Sequence, residues 1–207
     1  MPSAFKSTFV CAVAIAAAGC AAQTSFVTTW RAPNVAPARL AGQKVVAVLV
    51  SKDEGLRRGI EELLAANLTK HGVTGIPANS IIPTAEVTDE AKVKAKLESI
   101  GAASAVVMRA VGRDQNYVDS PAAFYGGPSY SSFYGGYWGV GWGGVYDPGY
   151  VRTETVLHIE TLVYSLRENK LVWAGQSKTV NASDADRVIR DLVNQVAATM
   201  KKQGLLE

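Results

Sequence analysis

Cysteine and histidine are nearly missing from this chain. Its 207 residues include two of each: Cys11, Cys20, His71 and His158. Cys11 lies inside an N-terminal apolar run of the kind removed from secreted proteins. One thiol then remains, too few for a disulfide framework or a thiolate zinc site. Charge of one sign is also lacking. Lys and Arg total 21 and Asp and Glu 18, and loss of Lys6 with the leader leaves 20 − 18 = +2. The densest basic stretch, "KVKAK" at 92–96, has the spacing of a solvated helix face. Nothing supports nucleic-acid binding. Beyond the leader, no apolar run reaches membrane-spanning length. G-x-S-x-G, H-E-x-x-H, the P-loop and a Cys–His pair are all missing, so no catalytic, cofactor-binding or metal-ligating residues are assigned.

The leader is "MPSAFKSTFVCAVAIAAAGC", with Lys6 ahead of an apolar run from Phe9 to Ala18. Residues 1–19 read as a signal peptide. Ala17-Ala18-Gly19-Cys20 resembles the lipobox of bacterial lipoproteins, with Ala17 where Leu is usual. Ala16-Ala17-Ala18 also fits ordinary cleavage after Ala18. The lipobox resemblance implies diacylglycerol on the Cys20 thiol, which removes the last sulfur nucleophile. Ala21 in place of Asp implies sorting to the outer membrane, with the body on its periplasmic face. Each buried methylene contributes ~0.8 kcal/mol, and two or more acyl chains hold a protein stably.

Residues 20–42 contain Pro33 and Pro37 and read as the lipidated Cys and a tether, with Trp30 docking on the domain. Residues 43–207 read as one α/β domain. "KVVAVLVS" (44–51) has the composition of a central strand buried on both faces. Ser51-x-x-Glu54 fits a capping box. Leu56, Ile60, Leu63, Leu64 and Leu68 follow at helical spacing, and Gly72 ends the helix. "VTGIPANSII" (73–82) is a strand placed at an edge by Pro77. Thr88 caps a second helix with Val93, Leu97 and Ile100 inward. Strands follow over 103–114, 153–166 and 170–180, the last two joined as a hairpin across Arg167-Glu168-Asn169. Ser183-x-x-Asp186 opens a final helix with Val188, Ile189, Leu192, Val193, Val196 and Met200 inward. The predicted order is β-α-β-α-β-β-β-α, a single mixed sheet with helices mainly on one face.

"TTWRAP", "KVVAVLVS…LRRGIEELLAANLTKHGV" and "ETLVYSLRENKLVWAG" resemble an uncharacterised family of Gram-negative lipoproteins. Its marks here are Trp30 to Pro33, Arg57-Arg58…Glu61 and Lys170-Leu171-Val172-Trp173. The element order is distantly similar to curli-secretion and penicillin-binding-protein-activator lipoproteins, a likeness of topology alone. Neither resemblance implies a catalytic residue.

Between the third and fourth strands lies a Gly/aromatic insertion, residues 121–150. It holds ten of the seventeen aromatic residues, nine of the nineteen glycines and one charge, Asp147. Gly139, Gly141 and Gly144 spell G-x-G-x-x-G, but "VYDPGY" follows instead of a helix, and Tyr137, Trp138 and Trp142 would crowd a phosphate. Thirty residues without periodicity suit a loop with a function of its own or with none. A loop binding a partner or another copy, and contact with a membrane surface, are the functional readings. Its candidate contact residues are Tyr134, Tyr137, Trp138, Trp142 and Tyr146, and it is expected to add little to the core. Elsewhere, His158 shares a strand face with Glu154 and Glu160. These spread over about 20 Å, too far for one metal, and Arg109 and Arg113 are placed to pair with the carboxylates.

The reading is of a periplasmic, lipid-anchored envelope module, structural or protein-interacting, without catalysis or cofactor. Its partners are the membrane, through the lipid, and an envelope protein or a second copy. The alternatives are an accessory subunit of an envelope assembly or secretion machine, and a hydrolase of envelope polymers.

Overall fold

The computed structural model describes residues 23–33, 40–115, 132–138, 155–180 and 184–206. Six strands form one mixed sheet: β1 (Gln23–Arg31), β2 (Lys44–Leu49), β3 (Thr74–Pro77), β4 (Ser104–Gln115), β5 (Thr155–Ser165) and β6 (Lys170–Val180). Their spatial order is β1-β6-β5-β4-β2-β3. The helices are α1 (Glu54–Lys70), α2 (Glu90–Ser99) and α3 (Ala185–Lys202). This is the mixed α+β architecture expected. Among the described residues no helix is long and apolar enough to cross a membrane.

β2 explains why its sequence is almost uniformly apolar. It is an interior strand, paired in parallel with β3 on one side and β4 on the other, and Val45 to Val48 are buried on both of its faces. Val45 and Ala47 join the core on one face of the sheet, Val46 and Val48 the core on the other. The remaining pairs, β4 with β5, β5 with β6 and β6 with β1, are antiparallel. β3 lies at an edge as expected, but of the stretch 73–82 it takes only Thr74–Pro77, and a 3-10 turn, Ala78–Ser80, follows. Its Gly75 is needed, because a Cβ there would stand 2.1 Å from the carbonyl oxygen of Ala65 on α1.

The first face carries α1 and α3. Leu64 and Leu192 are both fully buried there with Val45 and Ala47, as their spacing predicts. Leu56 departs from expectation and is 51% exposed. The inward stripe runs instead through Arg57, Ile60, Glu61, Leu64 and Ala65, one residue around the helix. The caps are displaced as well. Asp53, Asp89 and Asp184 accept from the amides of Leu56, Lys92 and Arg187 at 2.9, 3.1 and 3.1 Å. Ser51 and Thr88 had been the expected caps of the first two helices; Ser183, expected for the third, lies outside the described residues. A carboxylate binds an N-terminal amide more strongly than a hydroxyl does, so an Asp one or two residues on takes the role.

The stretch expected to be a tether contains β1. Its alternation is broken by a bulge, a register shift between Phe26 and Thr28. Phe26 therefore turns inward, edge-on to Trp173 at 5.4 Å, while Val27 is exposed. Gly175 makes room for this pair, since a Cβ there would lie 2.3 Å from the Trp173 ring. The bulge hides the strand from a period-two reading of the sequence.

The second face carries α2, two short 3-10 turns at Ala78–Ser80 and Thr84–Glu86, and a π-helical turn, Phe133–Trp138. The π-helical turn belongs to the Gly/aromatic insertion.

Candidate functional site

The insertion leaves and re-enters at one sheet end, as expected: Gln115 pairs with Thr155. Its described middle is docked at the other end. The amides of Phe133 and Tyr134 donate to Asn169 Oδ1, at 3.1 and 3.3 Å, in the β5–β6 turn. Phe133, Tyr134 and Trp138 are buried, and Phe133 lies 5.1 Å from Tyr164 and 5.4 Å from Trp138 between ring centres. The Trp138 indole N–H donates to the Val87 carbonyl. Burial, and secondly the charge of Glu98, push the Tyr134 hydroxyl up to about 12. Tyr134 and Trp138 thus correct the expectation that they present a contact surface: they plug the second core. The physical reason is that α2 is only ten residues long and cannot cover this face alone. The Tyr137 side chain, Trp142, Tyr146, the three glycines of the G-x-G-x-x-G and Cys20 lie outside the described residues.

Beyond the plug, toward the β1 edge, the second face is open and polar among the described residues. Register places Thr28, Gln176, Glu160 and Arg109 side by side across β1, β6, β5 and β4. Arg109 Nε donates to Glu160 Oε2 at 2.7 Å, the pairing anticipated for these strands. The side chains are 4% and 17% exposed, so the pair is largely desolvated and each charge needs the other. The next row inward is apolar: Trp30, Ala174, Leu162 and Val107. Trp30 is 48% exposed and stands beside the small Ala174. Between the rows is an open groove of about 390 Å3. Sequence reasoning paired Arg109 with the carboxylates but missed the groove, because Thr28 and Trp30 sit after the bulge. The available signal was the polar residue at matching alternate positions of four strands.

The other polar centre is a brace. Glu61 is fully buried and accepts from the amides of Leu49 and Asn79 at 3.1 and 2.6 Å and from Asn79 Nδ2 at 2.9 Å. Arg57 Nε lies 3.4 Å from Glu61, while its Nη2 donates to the Ile82 carbonyl at 2.8 Å. Burial pushes the Glu61 carboxyl above the usual range, against those hydrogen bonds and the Arg57 charge, which pull it down. With both carboxylate oxygens occupied, the pair ties α1 to the end of β2 and to the 3-10 turns.

His158 is opposite Gly112 and Lys178. His71 caps α1 and bonds Asn194 Oδ1 through Nε2 at 2.9 Å. Among the described residues no three His, Cys, Asp or Glu side chains gather as metal ligands. Between α1, α3 and the sheet lies an apolar cavity of about 130 Å3, lined by residues such as Leu68, Met108 and Val196.

No protein-family model matches the chain, and no curated protein does. Remote likenesses exist among solved structures. A point variant of the PelC dodecamer from Paraburkholderia phytofirmans is 14% identical with a TM-score of 0.45, covering 86% of this chain and 96% of that one. A second PelC dodecamer structure from the same organism is 12% identical with a TM-score of 0.44, covering 84% and 94%. Lipoprotein GNA1162 from Neisseria meningitidis is 15% identical with a TM-score of 0.39, covering 78% and 99%.

Proposed function

We propose that this chain is a lipid-anchored envelope protein, held on the periplasmic face of the outer membrane, that works by binding another envelope component and not by catalysis. The observation that carries the reading is β1. It is an edge strand, it exposes Val27 and Trp30, and it begins three residues after Cys20. A chain spans at most ~3.3–3.6 Å per residue, so Gln23 lies within about 11 Å of an acylated Cys20. The sheet end that starts β1 therefore faces the lipid. Gln23 is opposite Val180, which is opposite Val156, so the Gly/aromatic segment returns to the sheet at this same end. Among the described residues β1 pairs with a strand on one side only, and an edge strand of this kind accepts a strand from a partner or from a second copy. Membership of an envelope assembly or secretion machine is the same chemistry in a larger complex.

The test has two arms. Cys20→Ser is expected to release the body from the membrane fraction, and an intact mass beginning at Gly19 without lipid would overturn the anchor. Val27→Lys is expected to abolish a stoichiometric partner recovered by cross-linking in cells, or self-association measured by light scattering. Recovery unchanged by Val27→Lys would remove the edge from the reading.

A further inference from the structure

We infer that the open groove on the second face is a binding site for a neutral carbohydrate, one pyranose ring stacking on Trp30 and its hydroxyls bonding the row beside it. This inference stands whether or not Cys20 is acylated.

Four features of the groove select that ligand class. Its volume, about 390 Å3, is within the range of small-molecule sites, and among the described residues it is open at the side, so a chain can continue beyond one bound ring. One wall is the half-exposed indole of Trp30, a large rigid surface whose electron-rich face attracts the slightly positive C–H bonds of a sugar ring. Ala174, the cross-strand neighbour of Trp30, leaves the space beside the indole unfilled. The other wall supplies hydrogen bonds of both senses: the Gln176 amide and the Thr28 hydroxyl donate and accept, and Glu160 accepts. Those groups are separated by strand spacing, ~4.8 Å, so they engage successive hydroxyls of a ligand lying across the strands.

Charge decides between ligand classes. Arg109 and Glu160 are joined at 2.7 Å with little exposure, so the groove's two formal charges cancel. An anion gains little from a guanidinium already bound to a carboxylate, and a cation little from that carboxylate. A nucleotide could stack on Trp30, but its phosphates would meet Glu160 beside Arg109. A wholly apolar ligand would strip water from Gln176 and Thr28 without replacing their hydrogen bonds. A hydroxyl-rich ring with one apolar face has none of these costs.

The experiment uses full-length Cys20→Ser protein and neutral maltotriose, cellotriose and N,N′,N″-triacetylchitotriose, against trigalacturonate as the anionic probe and the unacetylated glucosamine trimer as the cationic one. Binding is followed by the tryptophan indole N–H resonances and by calorimetry. At least one neutral trimer is expected to shift the Trp30 indole and the Gln176 amide while leaving Trp173 in place. Trp30→Ala is expected to weaken binding at least about tenfold, and Gln176→Ala by less. Both side chains are exposed, so the variants keep the fold, which the unmoved Trp173 resonance verifies. The proposal is overturned if no neutral trimer moves Trp30, if either charged probe binds more tightly than every neutral one, or if Trp30→Ala binds as the parent does.

Discussion

The two faces of the sheet are closed by different means. The first is covered by α1 and α3, seventeen and eighteen residues long, which lay aliphatic stripes across it. Among the described residues the second has the ten residues of α2 and two short 3-10 turns, and fills the remaining space with a wedge of rings: Phe133, Tyr134, Trp138 and Tyr164. A long helix covers a face with many moderate contributions. A ring buries 150–250 Å2 at once, roughly 4–6 kcal/mol of transfer free energy as an upper bound. A six-residue turn can therefore substitute for a helix if its rings reach the core and their polar tips find partners, as the Trp138 N–H does at Val87. The lesson is that low-complexity composition does not separate a loop from a plug.

The strongest way to break this comparison is to remove the wedge. Phe133→Ala and Trp138→Ala are each expected to cost ~3–5 kcal/mol, matching or exceeding Leu64→Ala and Leu192→Ala on the helical face at ~2–5 kcal/mol. Replacing residues 121–150 with a short linker is then expected to lower the thermal midpoint of the whole domain. A Trp138→Ala protein within ~0.5 kcal/mol of the parent in urea unfolding would return the segment to the status of a loop.

Next in size is the brace that spans the two cores. Glu61→Ala leaves the Arg57 charge buried without its partner and is expected to cost ~3–5 kcal/mol. Its pH dependence has a definite sign. Because the folded pKa is raised above the unfolded value, this group's contribution is complete below the ordinary Glu range and falls as pH rises through the folded value. Relative to Glu61→Gln, the parent is expected to lose stability from pH ~4.3 upward. A stability difference that grows with pH would contradict the assignment.

A smaller effect sharpens the picture of the plug. Tyr134 has its hydroxyl pushed up to about 12, so it favours the fold fully below its ordinary value of ~10, and that contribution is lost as pH rises through the folded value. Phenolate absorbance compared between the parent and Tyr134→Phe should assign a late titration to Tyr134, and Glu98→Gln should bring it earlier. A Tyr134 that titrates at the ordinary value of ~10 would place its ring outside the core. Least of all should stability respond at the open groove. Trp30→Ala and Val27→Lys are expected within ~0.5 kcal/mol of the parent, and a larger loss would make β1 a core strand and not a display strand.

Much of the helical face was legible because its signals are local. The α3 stripe from Val188 to Met200 and the inward Leu64 follow from spacing alone, and all are buried. The β5–β6 hairpin was readable from its turn, where Asn169 takes a positive φ of 50°. The candidate site was legible only in part. Arg109 and Glu160 could be matched as facing residues, whereas their place beside Trp30 depended on a bulge that no pattern in "QTSFVTTWR" announces.

The amino-acid sequence by itself determined which segments are helices and which are interior strands, since periodic burial and end signals act over a few residues. The resemblance of Ala17-Ala18-Gly19-Cys20 to a lipobox is likewise a matter of order along the chain. Tertiary structure alone decided that Gln23–Arg31 closes the sheet edge and that Phe133, Tyr134 and Trp138 point inward. An aperiodic run such as "FYGGYW" has no face of its own. Whether its rings meet water or core depends on the space left uncovered by an α2 that is too short, and that space is set by residues distant in the chain.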